Sequence, residues 1–87
     1  MEDNKAILDS NLPDLDDDII DLTVGVISRC DMGKIIEVEI IEETSSGYRI
    51  RVQNDLEVNY FMVINQYGVT LITKDSPDGE IIWAVRM

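Results

Sequence analysis

The stretch Asp18–Glu43, DIIDLTVGVISRCDMGKIIEVEIIEE, decides the fold. One reading makes it two antiparallel strands, near 19–29 and 33–43, reversed at Cys30-Asp31-Met32 and closed by Gly33. Three-residue hairpin loops typically end in a residue at positive φ, which glycine adopts without steric cost. Ile20, Leu22, Val24 and Val26 then share one face with Ile36, Val38 and Ile40, while Asp21 and Thr23 share the other with Glu37 and Glu39. A slip of one residue would scramble that separation. A second reading makes residues 14–31 a helix, because Leu15, Ile19, Leu22, Val26 and Cys30 recur at helical spacing between Pro13 and Gly33. The β-branched residues around Gly25 favour the strand, since a glycine inside a helix costs about 1 kcal/mol relative to alanine.

The turn grammar recurs downstream. Thr44-Ser45-Ser46 with Gly47 reverses the chain and sets Glu39 opposite Arg51. Asn54-Asp55 marks a further turn, Asn65-Gln66-Tyr67 with Gly68 another, and Ser76-Pro77-Asp78-Gly79 a type I turn. The expected fold is therefore mainly β: a six-stranded antiparallel up-and-down meander, curled or closed into a small barrel, with strands near 19–29, 33–43, 47–53, 57–65, 68–74 and 79–86. The alternative is α+β, with helix 14–31 packed on a five-stranded antiparallel sheet.

Side-chain parity is open in the fourth strand, which is apolar on both sides. Closing the next turn at Gly68 turns Phe61 and Val63 inward, together with Leu71 and Ile81 beyond it. A two-residue loop would turn Tyr60, Met62 and Ile64 inward instead. On the first register Tyr60, Met62, Ile64, Ile72 and Ile82 form an apolar outer surface, a candidate interface for a homodimer or a foreign partner.

Composition sets the outer bounds. Eighty-seven residues suit one domain, residues 1–87, with an acidic N-terminal segment at 1–18 and the meander at 19–87. A short helix is expected over about 2–9, or else a frayed acidic tail. No apolar run approaches the roughly 18 residues of a membrane span. The acidic start lacks a signal peptide's basic region, and the single cysteine, Cys30, cannot close an internal disulfide. These features suggest a cytoplasmic protein.

The formal charge of −11 disfavours direct contact with nucleic-acid phosphates and favours basic protein partners. Residues 1–21 alone carry −7, from eight acids and Lys5. There is no histidine, which removes imidazole-based triads and metal sites. Asp14, Asp16 and Asp18 start like a calcium loop, but Ile19 and Gly25 stand where glycine and glutamate are needed. Cys30 lies beside Arg29 and Lys34, cations that would activate a thiol, yet no base accompanies it in sequence. No enzyme, metal or cofactor is expected.

The expected function is that of an acidic inhibitor or immunity-type protein, of the kind carried by phages and mobile elements. It would bind a basic, nucleic-acid-processing partner by charge complementarity through Asp14, Asp16, Asp17, Asp18, Asp21, Glu37, Glu39, Glu42 and Glu43. The alternative is a self-associating β module with a structural or ligand-binding role.

Overall fold

A computed structural model of the chain describes residues 2–85, with side chains from Asn4 onward. Two helices, α1 (Glu2–Asn11) and α2 (Asp17–Arg29), precede five strands: β1 (Ile35–Glu43), β2 (Gly47–Asn54), β3 (Asn59–Asn65), β4 (Gly68–Lys74) and β5 (Glu80–Ala84). The strands form one antiparallel sheet in the order β1-β2-β3-β4-β5. The six-stranded meander is thus corrected to five strands, and the helix-on-sheet alternative fits. Both helices pack on one face of the sheet, α1 against β1 and α2 against β4.

Residues 17–29 are helical because burial at helical spacing outweighs their β-branched propensity. Ile19, Ile20, Thr23, Val24, Val26 and Ile27 are buried, whereas Leu22, expected on the apolar stripe, is half exposed. Thr23 is fully buried and donates its hydroxyl to the Ile19 carbonyl at 2.8 Å, which removes the penalty of an unpaired polar group. Asp17 and Asp18 in the first turn and Arg29 in the last are placed favourably for the helix dipole.

Cys30-Asp31-Met32 ends this helix and closes no hairpin. The Met32 N–H reaches the Ile27 carbonyl and the Asp31 N–H the Ser28 carbonyl, each at 3.3 Å, with Asp31 at φ 54°. This is a Schellman motif with aspartate in the left-handed position, and its apolar ends, Ile27 and Met32, are both buried. Gly33 does have positive φ, at 79°, but it leads from the helix into β1.

The register expected between β1 and β2 is present: Ile40 faces Ile50, Glu39 faces Arg51 and Val38 faces Val52. Bulges flank this segment, between Ile35 and Glu37 and between Ile40 and Glu42. Gly47 is required by proximity, since a Cβ there would lie 2.0 Å from the Ile64 carbonyl oxygen. Asn54 fixes the next turn: it is buried, donates to the Met32 carbonyl at 2.7 Å and accepts from the Leu56 and Val58 amides.

The loop after β3 is the two-residue Gln66-Tyr67, closed by the Asn65–Gly68 pair, with a bulge at Val63/Ile64. It sets the parity that sequence left open. Tyr60, Met62, Ile64 and Ile72 are buried, in one cluster with Leu8, Ile20 and Ile27 of the helices, and Ile82 packs against that cluster. These residues, assigned above to an exposed interface, line the core. Phe61, Val63, Leu71 and Ile81 occupy the opposite face instead.

Candidate interaction surfaces

The nine carboxylates singled out above divide into two groups. Asp14, Asp16, Asp17, Asp18 and Asp21 lie in the turn before α2 and on its first turns, all exposed. Pro13 and the docking of Leu12, fully buried, hold the turn against the core. Lys5 of α1 pairs with Asp21 at 2.9 Å, and the Asp21 hydrogen bond holds its ammonium above the usual lysine range. Asp14 accepts the Tyr48 hydroxyl at 2.5 Å. That bond, with burial and the nearby Glu43 carboxylate, pushes the phenol up to about 12. Asp14 and Glu43 line one depression at this end of the sheet. Asp16, Asp17 and Asp18 make no ion pair among the described residues.

Glu37, Glu39 and Glu42 behave differently. Arg51 donates to Glu37, to Glu39 at 3.0 Å and to Asn59 at 2.8 Å, so its guanidinium is held by three neighbours. The Glu37 bond, followed by that to Glu39, raises its pKa further. Arg49 approaches Glu42 at 3.7 Å. These glutamates are compensated locally, on the face away from the helices. Only Glu43, at the strand's end, is drawn towards the aspartate group.

That open face has two halves. One row across the sheet reads Glu39-Arg51-Phe61-Thr73-Ile81, and the next Glu42-Arg49-Val63-Leu71-Ala84. On β1 and β2 it is an ion-pair lattice. From β3 onward it is apolar except for Thr73, which is buried and donates its hydroxyl to the Ser76 carbonyl at 2.7 Å; Phe61, Val63 and Leu71 are partly exposed and Ile81 is 61% exposed. Ile41 and Pro77 border the same depression as Phe61, Val63 and Leu71. Sequence reasoning missed this patch by one step in β3. The signal available to it was the apolar run Tyr60–Ile64 itself, which supplies an apolar residue to both faces whatever the register.

Cys30 is partly buried, and burial raises its thiol pKa more than Arg29 lowers it, opposite to what activation needs. Among the described residues no three or more carboxylates and thiols gather where they could hold a metal ion. No described helix is long and apolar enough to cross a membrane. Compared with protein-family models, curated proteins and solved structures, the chain matches none.

Proposed function

We propose that this chain is a non-enzymatic, cytoplasmic interaction protein, an inhibitor or immunity-type protein of a phage or mobile element, that captures a basic, nucleic-acid-processing partner. Its contact surface is the end of the molecule formed by Asp14, Asp16, Asp17, Asp18 and Asp21, with Glu43 beside them. The observation that carries the reading is the division of the carboxylates. The aspartates stand exposed on an anchored turn and helix with little compensation, whereas Glu37, Glu39 and Glu42 are engaged by Arg51 and Arg49. Exposed charges of one sign steer an oppositely charged protein and speed its approach. Placing them on a helix held against the core limits the entropy lost on binding.

The test is capture of basic proteins from a lysate by the immobilised chain. Raising salt from about 0.1 M to about 1 M shortens the Debye length from roughly 10 Å to 3 Å, and capture should be lost. The triple variant Asp16→Asn, Asp17→Asn, Asp18→Asn should lose capture at low salt, while Glu37→Gln with Glu39→Gln should retain it. Capture that persists at high salt, equal capture by the triple variant, or no capture at low salt would each end this reading.

A further inference from the structure

We propose that the open face of the sheet is a contact between two copies of this chain, packed face to face. This contact is separate from the acidic end and does not depend on the function assigned to it. The first ground is where apolar surface is left. The ion-pair half of the face, on β1 and β2, is what an antiparallel sheet shows to water. The other half shows water Phe61, Val63, Leu71 and Ile81, with Ile41 and Pro77 at its margin. A connected apolar area rimmed by charged groups has the anatomy of an interface core and its rim.

The second ground is charge, and it selects the occupant. The chain carries −11, so two copies repel when their acidic sides approach. On the open face Glu37 and Glu39 share Arg51, and Glu42 pairs with Arg49, so these three glutamates and two arginines leave one net negative charge out of the chain's −11. A basic partner is drawn to it far less than to the acidic end, and a second copy is repelled there only weakly. Stacking the two open faces also puts the acidic helical layers on the far sides of the pair. With sheets about 10 Å apart and each helix layer about 10 Å beyond its sheet, those layers stand roughly 30 Å from each other. That is several Debye lengths at physiological salt, where one length is about 8 Å.

Light scattering on a sizing column and sedimentation equilibrium of the full chain decide the matter. The expected mass is that of a dimer, with a dissociation constant that stays level or tightens as salt rises, because screening only removes the remaining repulsion. Ile81→Glu, at a position already 61% exposed, and Val63→Lys should each weaken the dimer by about tenfold or more, with circular dichroism unchanged. The aspartate triple variant, which tests the acidic end, should dimerise as the parent does. A chain that stays monomeric at millimolar concentration overturns the proposal. So does a dimer indifferent to both Ile81→Glu and Val63→Lys, or one that dissociates as salt is raised. A monomer whose open face takes a foreign protein belongs with the overturning results.

Discussion

Ile64 and Val63 are neighbours on β3, yet Ile64 is fully buried under the helices while Val63 stands partly exposed on the open face, opposite Leu71. The same contrast runs along the sheet, where Ile50, Met62 and Ile72 lie on the covered side and Arg49, Phe61 and Leu71 on the other. One side of the sheet therefore carries the packing energy, and the other is free to be chosen for contact. The difference shows that an apolar residue in a strand does not declare its purpose until the layer above it is known.

The sharpest way to break this comparison is truncation on each side. Ile64→Ala should cost about 2–5 kcal/mol in chemical denaturation, the range for a large-to-small change in a packed core. Val63→Ala, measured where the chain is dilute enough to be monomeric, should stay within about 1 kcal/mol of the parent. Equal losses would mean that the open face is part of the core. Asn54→Ala comes next, with an expected loss of about 1–3 kcal/mol, because it strands the Met32 carbonyl and the Leu56 and Val58 amides. A loss no larger than that of an exposed asparagine would show that water replaces the side chain.

The smallest effect is one of pH. The Asp14 carboxylate favours the neutral Tyr48 phenol, whose pKa is about 12 in the folded chain against 10.0 unperturbed. The raised value means that this contribution is complete below about pH 10 and lost as pH rises towards about 12. Tyr48→Phe should therefore narrow its stability gap from the parent across that window, read as thermal midpoints. A gap constant with pH would remove the Asp14 bond from the account.

How much of this was legible from sequence depended on whether a local signal had a rival. Thr44-Ser45-Ser46-Gly47 marks a reversal, and closing it at Glu43 and Gly47 aligns Ile40–Ile50 and Glu39–Arg51 from the residues alone. The chain instead closes one residue tighter, with the Thr44 amide on the Gly47 carbonyl at 2.8 Å, and the bulge between Ile40 and Glu42 restores the expected register. Ser76-Pro77-Asp78-Gly79 closes with the Gly79 amide on the Ser76 carbonyl at 3.0 Å. The segment 19–29 sent two signals at once. Its even positions alternate like a strand, and its pairs Ile19/Ile20, Thr23/Val24 and Val26/Ile27 recur at helical spacing. Only tertiary burial chose between them. For β3 the turn itself was ambiguous by one residue, and the bulge at Val63/Ile64 has no sequence marker. The aspartates before and along α2 were legible as a group, but their separation from the β1 glutamates was not. It depends on Arg51, which a sequence shows facing Glu39 without showing that it reaches Glu37 as well.

Strand order equal to chain order has a kinetic side. Each hairpin of the sheet joins segments adjacent in the chain, and such short closures are the fast steps of folding. The slow closures are those of the helical layer, where the Asn4 side chain accepts the Ile35 amide from 31 residues away and α2 rests on β4. During synthesis α2 is made before Gly68–Lys74, and a helix of 13 residues is marginal on its own. The helical layer is thus made before the strand it rests on, and until β4 arrives the apolar stripe of α2 has α1, but not the sheet's fourth strand, to pack against.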